Sequence, residues 1–474
     1  MNTSAGQSSI QLIIPLILLL VLILGIIYVM PDLTATQTLA IGGGIAVFIV
    51  CLASTEVALY ILIFSMLLSP EFIVGTTEGA TLGRGVTLRV DDFVILLIGL
   101  SWLAKMAINK ELGLFLRTPL NKPLAYYIIA CLVSTLLGSL FLKVELKTGF
   151  FFVLKYFQYI LIYFMVANHI KTEKQARQYL WALLITCVIV SVIGMLQIPE
   201  GGRVSAPFEG EVGEPNTFGG YLVFMIAITS GLLLTTTAPG LRMIYGSMTL
   251  LFMIPLFYTQ SRSSYLSLIL AGISFLWLSE KRRLVLIAFI IAGLIFPFVA
   301  PHEVTERISF TFTQREHRGR QIEVGGLRID TSTTDRLRSW ANVGRDFVKH
   351  PVFGFGVTGY GFLDAQYPRV LIETGLVGVF MFLFLLFSIF RLTYHNLKEA
   401  TGPFGRGLSM GFLSGFIGIL AHALGANTFI IVRIMEPFWF VLAIVIMLPE
   451  LEPDMPEGGS AKSIERRARS RSVK

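Results

Sequence analysis

The sequence predicts an all-α polytopic membrane bundle of about 14 spans, with one large outer-face loop between the eleventh and the twelfth. Three observations predict it. Apolar segments of spanning length recur almost from end to end. Charged residues are only 14% of the 474, where soluble domains carry about 25%. Basic residues collect in alternate connections. The 54% apolar content and the mean hydropathy of +0.73 exclude an ordinary soluble enzyme. The net charge of +8 is spread over short loops, one long loop and a tail, which fits membrane topology better than nucleic-acid binding.

A hydrocarbon core about 30 Å thick takes roughly 20 apolar residues per helix, because backbone groups in lipid must be satisfied within the helix itself. By that measure the spans run over 11–30, 37–54, 56–70, 91–108, 123–142, 149–168, 178–197, 217–236, 242–259, 263–279, 284–300, 369–390, 407–426 and 434–449. The first is followed by Pro31-Asp32-Leu33 rather than a small-residue cleavage site, so it reads as a span and not a secretory signal. The second and third are short and separated only by Ser54-Thr55-Glu56, which also suits a re-entrant hairpin.

Orientation follows from lysine and arginine in short loops, which stay cytoplasmic. With the N-terminus inside, the cytoplasmic connections are 105–122, 171–177, the turn at Arg242, Lys281-Arg282-Arg283, 391–406 and the tail, all of them basic. The same assignment puts 71–90, 198–216, Gln260-Ser261-Arg262 and 301–368 outside. The chain therefore divides into an N-terminal membrane bundle (1–300), a periplasmic or extracellular loop (301–368), C-terminal membrane helices (369–449) and a basic cytoplasmic tail (450–474) of an inner-membrane protein. Connections as long as 301–368 are uncommon unless functional or disordered, and they escape the positive-inside rule.

Cys51, Cys131 and Cys187 all lie in apolar segments without metal-ligand spacing and read as packing residues. His302, His317 and His350 fall in the outer loop with no spacing that links them to a ligand set. His422 lies within a span, where an ionisable group is a functional candidate by default, and Lys155 in the sixth span is a second such group.

Three outer-face arginines stand beside residues that shape backbone at the water boundary. Arg203 precedes Glu214-Pro215-Asn216-Thr217, where Pro215 and Asn216 suit a helix N-terminus and hence an anion. Arg262 lies in Gln260-Ser261-Arg262-Ser263, the tight link between two spans. Arg336 lies in Asp335-Arg336-Leu337-Arg338-Ser339-Trp340, an amphipathic segment of the long loop. Singly, each suits interfacial snorkelling or a local ion pair. Together, their guanidinium forks suit the oxygens of a pyrophosphate.

In this order, Arg203 with Pro215-Asn216, Ser261-Arg262, Arg336 with Trp340, Gly354-Phe355-Gly356, and Tyr367 with Glu373-Thr374-Gly375 resemble the O-antigen ligase and polymerase superfamily. The resemblance implies a GT-C-like, metal-independent membrane glycosyltransferase without cofactor, whose donor is an undecaprenyl-diphosphate-linked saccharide. It implies that Arg203 and Arg262 hold the donor pyrophosphate with help from Arg336, and it extends to a flippase and a chain-length regulator as partners. Ligases of the family commonly carry a histidine nine residues before the equivalent of Glu373. Here that place is Asp364, which favours a polymerase.

Asp364 and Glu373 are the candidate bases for the acceptor hydroxyl, Asp364 first. A helix cap is the competing role of Asp364, and an ion pair with Arg369, one turn earlier, that of Glu373. Asn216, Tyr221, Arg338, Trp340, Tyr367 and Arg369 lie in the same motifs and complete the candidate substrate contacts. The competing functions are a ligase acting on a lipid or protein acceptor, a lipid-linked oligosaccharide flippase, and an inorganic-carbon transporter.

Overall fold

The structure, a computed structural model, describes residues 35–76, 85–108, 118–141, 144, 146–208, 213–299, 305, 323–324, 327–328, 331–361 and 363–451. The first predicted span and the basic tail beyond 451 lie outside the described residues. The chain runs through α1 (Ala35–Ala53), α2 (Thr55–Leu68), the antiparallel pair β1 (Glu71–Thr76) and β2 (Gly85–Arg89), α3 (Val90–Ile108), α4 (Asn121–Phe141), α5 (Leu146–His169), α6 (Glu173–Leu196) and α7 (Pro215–Thr235). It continues through α8 (Pro239–Tyr258), α9 (Arg262–Leu278), α10 (Arg282–Val299), a two-residue antiparallel pair, α11 (Thr331–Phe347), α12 (Gln366–Glu399), α13 (Pro403–His422) and α14 (Val432–Met447).

The chain is an all-α polytopic membrane protein. Among the described residues seven helices are long and apolar enough to cross a membrane, namely α4 to α8, α12 and α13. The predicted second and third spans are separate helices, α1 and α2, that break at Ser54, whose hydroxyl caps α2. At about 1.5 Å per residue the 14 residues of α2 reach about 21 Å, short of a full hydrocarbon core. The connection 71–90, assigned to the outer side, contains an antiparallel hairpin.

Local sequence signals start the helices. Thr172 and Gln175 form a capping box on α6, Ser261 caps α9, and prolines occupy the first positions of α7, α8 and α13. The antiparallel pair α7 and α13 is the tightest. Gly231 of α7 and Gly407, Gly411 and Gly415 of α13 let the backbones approach so closely that a Cβ on Gly411 would sit 2.7 Å from the Ala227 carbonyl. Lipid tails are as apolar as leucine, so close van der Waals contact of small residues, rather than a hydrophobic driving force, holds such helices together. Gly411→Leu is expected to cost at least about 1–3 kcal/mol by overpacking, read as loss of monodisperse protein on size-exclusion chromatography. An unaffected yield and melting temperature would contradict this packing.

The bundle segregates its polar features by end. At one end Arg177 of α6 stacks on Phe404 of α13, Arg406 pairs with Glu280, and Lys281 donates to the Leu234 carbonyl at the end of α7. The basic short connections therefore share this end. At the opposite end Arg433 of α14 donates to the carbonyls of Leu67 and Ser69 after α2, and of Pro207 and Phe208 before α7. Near it, Lys155 of α5 lies 2.5 Å from Asp92 of α3, and Arg89 pairs with Asp91 at 3.1 Å. Gln158 donates to Glu436 at 2.8 Å. The intramembrane lysine singled out in the sequence is thus half of a buried ion pair.

Candidate functional site

The site is built at the end opposite the basic short loops. The chain leaves α8 through Thr259-Gln260-Ser261 and enters α9 at Arg262, with Gln260 held at φ 49°, a left-handed conformation uncommon for a side chain of this kind. The 203–208 segment lies along this link. The Val204 amide donates to the Tyr258 carbonyl at 3.0 Å, and Arg203 Nε donates to the Thr259 carbonyl at 2.9 Å. The Arg203 guanidinium also donates to Asn216 Oδ1 at 3.3 Å, in the first turn of α7. Arg203, Asn216 and the Arg262 link therefore form one patch.

The end of α13 closes the patch from below. His422 is fully buried, its Nδ1 is 2.8 Å from Thr428 Oγ1, and its ring faces the first turns of α7. Gly220 makes room for that approach: a Cβ there would lie 2.7 Å from Ile434 Cδ1 and 3.1 Å from the imidazole. His422 is within electrostatic reach of Arg336, so α11 overhangs the same end. Gly425, just past α13, packs on Ser263, the residue after Arg262.

Arg336 pairs with Asp364 at 3.2 Å, and both side chains are partly exposed, 26% and 32%. Asp364 does not cap α12. Ala365 occupies the cap position, and the Gln366 amide donates to the Ala423 carbonyl at 3.1 Å. Asn427 donates to the Leu363 carbonyl, fixing the chain just before Asp364. Asn427 is a site-shaping residue that the sequence reading missed, and its only signal was the Gly425-Ala426-Asn427 interruption between two apolar runs.

Behind this patch, α12 is two helices in one. Gly375 breaks it at φ 64°, and the Gly354-Phe355-Gly356 loop fits the break. The amides of Phe355 and Gly356 donate to the carbonyls of Ile372 and Glu373, while those of Leu376 and Val377 donate to the carbonyls of Pro351 and Val352. The loop therefore caps the C-terminus of 366–374 and the N-terminus of the span that follows. A Cβ on Gly375 would collide with the Val352 carbonyl. Gly375→Ala is expected to cost more than about 1 kcal/mol through its positive φ alone, seen as a lowered melting temperature with the helix content retained. A melting temperature equal to that of the wild type would refute this account of the break.

Several predicted contacts lie elsewhere. Glu373 is 6% exposed and accepts from Arg369 Nε and the Thr358 amide, each at 3.1 Å. Arg369 stacks on Phe152. The pair is one helical turn apart and faces the interior because α12 packs that side against α4 and α5. Tyr221 is fully buried with its hydroxyl beside Cys187, since five residues of helix carry it more than a turn below Asn216 and round to α6. Tyr367 donates to the Leu420 carbonyl at 2.7 Å and pins α12 on α13. Arg338 and Trp340 are exposed on α11, with Arg338 two residues and so about 200° round the helix from Arg336.

α11 is held by Val343 packing on Leu363 and Ile372, and by Tyr360 donating to Asp346 at 2.7 Å. Burial pushes the Tyr360 hydroxyl up to about 12, and hydrogen bonds from Lys349 and Tyr360 hold the Asp346 carboxyl below its usual value. Among the described residues no group of three or more His, Cys, Asp or Glu is placed to hold a metal ion.

The segments that carry Arg203, Arg262 and Arg336 thus lie at one end of a membrane bundle, with Arg336 paired to a carboxylate. Residues 247–383 match the family model described as O-antigen ligase. No curated protein matches the chain. The O-antigen ligase match runs from within α8 to the early part of the α12 span, so it includes Arg262, Arg336, Asp364 and the Gly354 loop. It supports the superfamily resemblance and a membrane enzyme of the O-antigen ligase and polymerase kind. Arg203, Asn216 and His422 lie outside the O-antigen ligase segment and reach it only through the fold.

Proposed function

We propose that the chain is a membrane glycosyltransferase that polymerises undecaprenyl-diphosphate-linked repeat units into an exopolysaccharide or O-antigen at the outer face of the inner membrane. The observation that carries this reading is the meeting of the Arg203, Arg262 and Arg336 segments at the end of the bundle away from the basic short loops. By the positive-inside rule those loops are cytoplasmic, so the arginines face the opposite leaflet.

In the proposed reaction an acceptor hydroxyl oxygen attacks the anomeric carbon of the donor sugar. The bond from that carbon to the diphosphate oxygen breaks, and undecaprenyl diphosphate leaves with the electron pair. The hydroxyl proton passes to the Asp364 carboxylate. Arg203 and Arg262 face the charge that grows on the diphosphate, where preformed cationic donors are often the largest catalytic contribution. Glu373 is structural in this scheme, its carboxylate already committed to Arg369 and Thr358.

A ligase acting on a lipid or protein acceptor is the second reading, favoured by the description of the matched family. Incubating the purified protein in nanodiscs with a lipid-linked repeat unit separates the two. A ladder of products is expected; a single transfer to an added lipid or protein acceptor would establish the ligase instead. Passage of the donor across the bilayer without any new glycosidic bond would replace both with a transporter.

A further inference from the structure

α11 displays three sectors when its residues are set at about 100° each around the helix. Arg336, Val343 and Phe347 lie on the side that packs on the bundle. Leu337, Trp340, Ala341 and Gly344 share an adjoining arc of about 100° and are all exposed, Leu337 by 43% and Trp340 by 39%. Arg338 and Arg345 border that arc on its other flank and are also exposed. The helix's acidic residues, Asp335 and Asp346, fall outside both exposed arcs, and Asp346 is engaged by Tyr360 and Lys349.

The apolar arc continues past the helix. Val348 and Val352 are 73% and 52% exposed, and the Val352 carbonyl accepts from the Val377 amide at the start of the α12 span. There Leu376 and Phe380, 55% and 67% exposed, begin the outward face of a membrane-crossing helix. Exposed Leu, Trp and Val side chains thus occur on α11, in the turn after it, and at the start of the membrane-crossing helix to which that turn is hydrogen-bonded.

We propose that α11 lies on the membrane as an interfacial helix, with Leu337, Trp340, Ala341 and Val348 among the acyl chains of the leaflet at the site end and Arg338 and Arg345 among its phospholipid headgroups. Apolar residues on one face and basic residues beside them are what an interfacial helix requires, and tryptophan favours that depth. The seat also sets the height of Arg336, on the adjoining face, at headgroup level, where a lipid-borne diphosphate travels. The inference rests on the bundle spanning a membrane and not on the sugar chemistry, so either can fail without the other.

The test uses the full chain in nanodiscs of phosphatidylethanolamine and phosphatidylglycerol, with a spin label placed in turn at positions 337, 338, 341, 345 and 348. The three native cysteines are buried and are replaced by serine or alanine in the background. Labels at 337, 341 and 348 are expected to collide with oxygen, which concentrates in lipid, and labels at 338 and 345 with a water-soluble nickel chelate. In parallel, brominated acyl chains are expected to quench the part of the fluorescence that Trp340→Phe removes. Nickel access at all five positions, with that fluorescence component untouched by bromine, would overturn the proposal. Spin–spin broadening at 337 and 341 would overturn it too, by showing a second copy on this face.

Discussion

Arg262→Ala is expected to lower glycan transfer by about 10²- to 10³-fold, the loss seen when one preformed donor to a developing anion is removed. The fold should survive, because the Ser261 hydroxyl caps α9 through the Ser264 amide and does not depend on the arginine side chain. Arg262→Lys should recover only part of the rate, since an ammonium keeps the charge but not the fork that grips two phosphate oxygens. Single-turnover transfer at saturating donor separates this effect from weakened binding. Full activity in Arg262→Ala protein that elutes and melts like the wild type would remove the diphosphate site at this position.

Asp364→Asn is expected to reduce transfer by about 10²- to 10⁴-fold if the carboxylate takes the acceptor proton. Its partner complicates the reading, because Asp364 also holds Arg336 at 3.2 Å. Two roles can be told apart. A base acts in the chemical step, so single-turnover transfer at saturating donor falls in the asparagine variant while donor affinity stays near that of the wild type. An anchor for Arg336 would instead weaken donor affinity and leave the saturated rate near that of the wild type. The double variant Arg336→Ala, Asp364→Asn should fall less than the product of the single losses, since each single change already breaks the shared contact. A saturated rate unchanged by Asp364→Asn would leave the reaction without this base.

The two arginines nearest the patch were legible because local grammar marks them. Ser261-Arg262 sits in a link too short to be anything but a helix-to-helix turn, and Pro215-Asn216 announces the helix start that Arg203 meets. The carboxylates were not separable in the same way. Asp364 and Glu373 are both carboxylates within five residues of Pro368, yet one is part-exposed and tied to Arg336 while the other is buried against Arg369. Tyr221 and Tyr367 read as substrate contacts because of their neighbours in the chain, but helix rotation turns one into the core and the other onto α13.

What the sequence alone determined is the class of solvent the chain lives in, the positions of its described spans to within about five residues except for the far end of α12, which runs on to Glu399, and which connections are basic. These follow from hydropathy and capping, which act over one helix at a time. Tertiary structure alone decided that Arg203 reaches Thr259 and Asn216, that His422 fits against Gly220, and that the Gly354 loop plugs the break at Gly375. Such contacts depend on the angle and depth at which helices pack. Close approach of glycine-lined backbones sets that geometry, and hydropathy carries no record of it.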